Sequence, residues 1–226
     1  MALLALTRPT VSNIAVAASF VSMWIHLATV QASTAESPAK ERAWKHVQTV
    51  LMSFEYRGRS GFVACWSSSL LITIVGGSMT DRLFIVELIV NWNQILVGTP
   101  IQLEHGEENQ ANIGITFSER ANFAKISAKY GFQIVDGGVG LASRIVDRRH
   151  HARMGLALID KSLPVHERRA TIAQELYHAL GPVNDSPYFP ASVLFEDGET
   201  ASSAIELALV DPNLLKFLYT YLEPGD

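Results

Sequence analysis

Along most of the chain, apolar and polar positions alternate in short blocks, each fitting one helix or one strand. Trp44, Val47, Leu51 and Phe54 recur at helical spacing behind Ser37-Pro38, which predicts a helix from about residue 38 to Tyr56. Phe62 to Val75 is rich in β-branched, aromatic and serine residues and predicts one or two strands ending at Gly76-Gly77. Leu83 to Leu96 is apolar nearly all round, with only Glu87, Asn91, Asn93 and Gln94 to mark a wet side. A buried helix ending at Gly98 is expected there. An extended piece at Ile101 to Leu103, a polar turn over Glu104 to Gln110 and a strand from Asn112 to Phe117 follow. Ser118 is placed to cap a helix that reaches Tyr130 and stops at Gly131. Further elements are a strand over Met154 to Ile159, a helix from Val165 to Leu180 ended by Gly181, and a last helix to Tyr221 capped by Asp211-Pro212. Intermixed helices and strands without an internal repeat predict one α/β (α+β) domain over residues 38–226.

The beginning of the chain reads differently. Arg8 precedes a run from Ile14 to Val30 that is apolar apart from Ser19, Ser22, His26 and Thr29. Val30-Gln31-Ala32 then offers the small residues a signal peptidase needs. Residues 1–32 are accordingly read as a signal peptide or, uncleaved, a membrane anchor, and residues 33–37 as a linker. The expected location of the domain is periplasmic or extracellular, with membrane attachment only through that segment.

Composition narrows the function. A formal net charge of −4 supplies no basic surface for nucleic acid. The one basic run, Arg148 to Arg153, reads as an exposed turn between strands. A single cysteine, Cys65, excludes an intrachain disulfide framework and any cysteine-rich zinc site. The glycines at 137, 138 and 140 match neither nucleotide fingerprint.

The candidate chemistry lies on the helix Val165–Leu180. Ala173, Leu176, Tyr177 and Leu180 form its core-facing stripe, which leaves Gln174, Glu175 and His178 together on a face not needed for packing. Zinc peptidases use His-Glu-x-x-His because residues four apart share a helix face, and the glutamate activates the metal-bound water. In that frame Glu175 is the base and His178 the second ligand, while Gln174 stands where the first histidine would be. The longer metzincin form adds a glycine turn and a third ligand three residues on. Gly181 fills the turn position, and Asn184, with Asp185 beside it, fills the third-ligand position. Neutral amides are poor zinc ligands, so tight binding is not expected unless Asp185 replaces Asn184 or His150, His151 or His166 folds in. The ordinary alternatives are an exposed ion pair between Glu175 and His178, and a turn whose side chains cap backbone N–H groups at Asn184-Asp185-Ser186.

These residues also resemble a family of exported bacterial proteins, domain of unknown function 2927. The resemblance rests on Glu175, Ala179-Leu180-Gly181, Asn184-Asp185 and the segment Pro190 to Asp197. It continues through Asp211, Leu214 to Tyr219 and Pro224-Gly225. Upstream, Ala111 to Phe117 looks like the family's central strand. Family helices usually read Glu-Glu-x-x-Gln; this chain departs with Gln174 and His178, lacks the cysteines of many members and matches poorly over residues 57–98. The resemblance implies a zincin-like domain with a mixed sheet and a degenerate metal motif. The ligand set itself favours a protein that is non-catalytic or has a degenerate metal site; zinc stays open as a cofactor, and the partner stays open, a peptide or an envelope component being among the candidates. The alternative is a secreted zinc-dependent peptidase with Glu175 as base and His178, Asn184 and Asp185 at the metal.

Overall fold

The computed structural model describes residues 37–52, 62–107, 111–132 and 138–226. The expected export segment therefore lies outside the described residues, as do the expected helical turn at Phe54–Tyr56 and part of the glycine cluster. The chain falls into two compact units, one ending at Lys45 and one running from His46 to Asp226. In the first, helix α1 (Pro38–Met52) begins at Ser37, whose hydroxyl accepts from Lys40 N at 3.3 Å. In the second, α1 contributes buried His46, Val47, Val50 and Leu51.

Five strands form one sheet: β1 (Leu70–Val75), β2 (Leu103–His105), β3 (Ile113–Ser118), β4 (Gly140–Val146) and β5 (Ala152–Asp160). Their order is β2-β1-β3-β5-β4, all parallel except β4, which pairs antiparallel with β5 along one edge. The mixed sheet expected from the sequence is thus present. Only one strand occupies the Phe62–Val75 stretch; upstream of it, Cys65 makes a single bridge to His151. The basic run begins in the turn between β4 and β5, as expected, but its last two residues, Ala152 (buried) and Arg153, open strand β5, where Arg153 reaches Asp147 at 2.6 Å.

β5 is buried along residues 155–160 because both of its faces are covered. Leu156 and Leu158 pack with Phe123 and Phe132 around helix α3 (Phe123–Lys129). Helix α4 (Val165–Leu180) packs on β5 and β4. Helix α2 (Met79–Leu96) packs on β2 and also touches α4 and the last helix, α5 (Val210–Tyr221).

Three local expectations change. Ser118 belongs to β3, and a short 3₁₀ turn, Arg120–Asn122, precedes α3 without a side-chain cap. The register of β3 on β5, Ser118 opposite Asp160, extends the strand past the capping position. Helix α5 begins at Val210, so Asp211 lies inside it and is fully buried. Its carboxylate accepts from Ser192 Oγ (2.5 Å), Ala208 N (2.9 Å) and Val193 N (3.3 Å), fastening the irregular 182–209 segment to the helix. Finally, α2 begins earlier than its apolar run suggests, at a capping box in which Ser78 and Asp81 satisfy each other's backbone N–H groups.

Candidate functional site

The motif helix α4 is positioned from its C-terminal end. The last carbonyls of a helix lack intrahelical partners and must find others when buried. Here four consecutive carbonyls do so. His178 O receives Gly181 N at 3.0 Å, Ala179 O receives the Trp66 indole at 2.9 Å, and Leu180 O receives the Tyr219 hydroxyl. Gly181 O receives Arg144 Nη2 at 2.6 Å, while Arg144 Nη1 bonds Ala64 O at 3.0 Å. A guanidinium suits this place, since the helix dipole leaves negative charge at the C-terminus. Gly181 leaves room for α5: a Cβ there would overlap a terminal methyl of buried Leu218, which would have to move. Tyr177 crosses the core to donate to Asp211 O at 2.7 Å and meets Trp92 of α2 edge to face. The expected core stripe of Ala173, Leu176, Tyr177 and Leu180 is fully buried.

The polar face is not left to solvent. Glu175 is only 8% exposed, because the edge strand β4 lies directly over it. A side chain at Gly140 would overlap both Glu175 and Thr171, and Ala142 N donates to the Glu175 carboxylate. An exposed ion pair is therefore excluded, as is a face free of packing duty. Burial raises the Glu175 carboxyl to about 7; the His178 charge opposes the rise and the Asp185 charge adds to it.

Asp185 is the hub. Its Oδ1 accepts from Gln174 Nε2 at 2.8 Å and lies 3.2 Å from His178 Nε2. The other ring nitrogen of His178 donates to Pro182 O at 3.1 Å, as it must, because a carbonyl only accepts. Both nitrogens thus face acceptors, and the imidazolium form satisfies both. Burial would depress the His178 pKa, but the hydrogen bond and charge of Asp185, with the charge of Glu175, carry it up to about 9. Asp185 moves the other way: burial raises it, but the hydrogen bond and charge of His178, with hydrogen bonds from Gln174 and Glu196, together hold it below the usual carboxylate value.

Asn184 donates its amide to Thr49 O of α1 at 2.8 Å, and the neighbouring Val183 N bonds Val50 O at 2.7 Å. Ser186 bonds His46 Nδ1 at 2.8 Å. The loop after α4 is thereby pinned to α1 by Val183, Asn184 and Ser186, which turns Asp185 toward His178. The other candidate histidines lie elsewhere. His150 stacks on Phe62 with ring centroids 4.5 Å apart, His151 pairs with Cys65, and His166 sits in the exposed first turn of α4.

Zinc of the peptidase type asks for three good nitrogen, sulfur or carboxylate donors around an open position. This chain offers one imidazole, whose Nε2 is engaged by a carboxylate, and a neutral amide in place of the first histidine. Among the described residues no cluster of three His, Cys, Asp or Glu side chains is arranged to hold a metal ion. The donor set does not fit tight zinc. Its arrangement suits a hydrogen-bonded Gln174–Asp185–His178 cluster beside a buried acid.

Sequence reasoning missed Gly140, Arg144 and Trp66. The half-buried edge strand β4 shows no two-residue alternation to reveal it, and Trp66 and Arg144 act on helix carbonyls, which carry no side-chain signature.

An E-x-x-H helix with a glycine turn, packed beneath the antiparallel edge strand of a mixed sheet, defines the class of domain. The chain belongs to the family described as protein of unknown function DUF2927, whose model matches residues 41–225. No curated protein matches it. Among solved structures, similarity is found to two structures of myroilysin. One is 14% identical with a TM-score of 0.42, covering 71% of this chain and 98% of the other. The second is 12% identical with a TM-score of 0.43, covering 85% and 100%.

Proposed function

We propose that this protein is an exported, zincin-like domain that has exchanged metal chemistry for a structural polar cluster and serves the cell envelope as a non-catalytic binding or scaffold module. One observation carries the reading: Asp185 Oδ1 holds both Gln174 Nε2 and His178 Nε2, the two helix positions at which a zincin presents its ligands. The export segment at residues 1–32 supports an envelope location.

The competing reading is a secreted zinc-dependent peptidase, with Glu175 as base and His178 as ligand. It is favoured by one feature, a buried carboxyl raised to about 7, the range suited to proton transfer at neutral pH. Elemental analysis of protein purified from zinc-containing medium separates the two, with His178→Ala as control. The non-catalytic reading expects no zinc above the control and no effect of Glu175→Gln on function in cells. One zinc per chain, lost in His178→Ala, together with chelator-sensitive proteolysis would establish the peptidase instead.

A further inference from the structure

Helix α2 does not behave as its composition predicts. A helix that is apolar nearly all round belongs in a core, yet only one side of α2 is buried, by Phe84, Ile85, Leu88, Ile89, Trp92 and Leu96. On the opposite side Met79 is 71% exposed, Leu83 62%, Val86 36%, Val90 54% and Val97 75%. Those within the helix form a single line. Met79, Leu83, Val86 and Val90 follow at steps of four, three and four, while Val97 lies just past the helix end, with non-helical backbone angles. That 4-3-4 spacing matches the seam of a two-stranded coiled coil, with Leu83 and Val90 at one core position and Met79 and Val86 at the other. Valine at the first of these positions favours pairing of two helices. Asn93 would be the next core residue, but its amide exchanges two 2.8 Å bonds with the Leu103 backbone of β2, so the seam is interrupted there.

Charge distinguishes the candidate occupants. Arg82 and Glu87 flank the line on opposite sides, five residues apart. Among the described residues neither makes an ion pair. In a parallel helix pair, the flanking residue before one core position meets the partner residue five positions on. Arg82 of each copy then meets Glu87 of the other, twice by symmetry. An antiparallel pair would instead bring like flanks together, Arg82 to Arg82 and Glu87 to Glu87. A lipid surface would call for a basic rim, whereas the other exposed flanking residues here, Asn91 and Gln94, are neutral.

We propose that the outer face of α2 is a self-association surface. Two copies pair their α2 helices in parallel about a two-fold axis, closing Met79, Leu83, Val86 and Val90 against their counterparts and forming two Arg82–Glu87 ion pairs. The surface is remote in sequence from the α4 cluster and does not depend on whether that cluster is catalytic. A seam of about three turns is smaller than the ~800 Å² per partner of a standard interface, so association is weak and concentration-dependent.

Sedimentation equilibrium of the full chain from roughly 5 to 500 µM should show the mass rising from 24.8 kDa toward twice that value. Leu83→Glu, at an exposed position that leaves the fold intact by circular dichroism, should remain monomeric. Arg82→Glu alone and Glu87→Arg alone each turn two attractive pairs repulsive and should weaken association about tenfold. The double variant Arg82→Glu/Glu87→Arg should restore it. A wild-type chain that stays monomeric, association indifferent to Leu83→Glu, or single swaps that the double variant does not rescue would each overturn the proposal. So would a monomer that sediments with mixed neutral and anionic phospholipid vesicles and loses that binding in Leu83→Glu.

Discussion

The two ends of the motif segment obey different rules. At the C-terminus of α4, four carbonyls are matched by an amide, an indole, a phenol and a guanidinium, and the fixed geometry leaves no group short of a partner. One turn earlier, Glu175 is buried beneath β4 with a raised pKa, and His178 is held charged chiefly by Asp185, with help from Glu175 and the Pro182 carbonyl. The first region is built for stability alone. The second keeps an ionisable group where an apolar one would cost less, the usual mark of a site that carries, or once carried, chemistry. A fold can retain the frame of a site after its ligands are gone.

The largest effect that would sharpen this contrast comes from Asp185→Ala, which leaves His178 and Gln174 without their shared acceptor. A loss of about 3 kcal/mol is expected near pH 6 by denaturant unfolding. His178 has a folded pKa raised from 6.5 to about 9. Its stabilisation is full below pH 6.5 and lost as the pH rises through 9, so the Asp185→Ala penalty should shrink by pH 10. An equal penalty at both ends would remove the ion pair from the account. Gly181→Ala comes next, at about 2 kcal/mol, since its Cβ must displace Leu218; a neutral result would mean α5 is free to shift.

Glu175→Gln should act in the opposite sense. With its folded pKa raised from 4.5 to about 7, Glu175 contributes nothing unfavourable below pH 4.5 and progressively destabilises the fold as pH climbs to about 7. The amide keeps an acceptor for Ala142 N, so the variant should match the wild type near pH 4.5. By pH 8 it should exceed the wild type by on the order of 2 kcal/mol. A variant less stable than wild type at pH 8 would show that the carboxylate is welcome where it lies. Trp66→Phe is the smallest change, removing one bond to Ala179 O for about 1 kcal/mol without disturbing either titration.

Much of this was legible in the sequence, and the limits have physical causes. Helix α4 was readable to its boundaries, because its apolar stripe repeats at 3.6 residues and a glycine follows it. Glu175, His178, Gly181 and Asp185 could be singled out from their spacing, and the structure joins His178 to Asp185. Burial of the polar face could not be read, because its cover is strand β4, whose sequence shows no two-residue period. Nor could the choice between Asn184 and Asp185, which is made by α1 at Thr49 some 135 residues away. The outer face of α2 misled for a related reason: apolar composition reports that a surface is to be covered, and is silent about what covers it.

The contact between Gly140 and Glu175 has a consequence for how this site can change over generations. Strand and helix meet there without room for a methyl group, so residue 140 is sterically coupled to both Glu175 and Thr171. Any side chain gained at 140 must first evict the carboxylate, and a glutamate regained at 175 needs the glycine already in place. Because the Thr171 methyl group crowds the same point, a side chain at 140 requires both Glu175 and Thr171 to give way. The glycine at the head of the edge strand is what lets the acid and the threonine beneath it both keep their places.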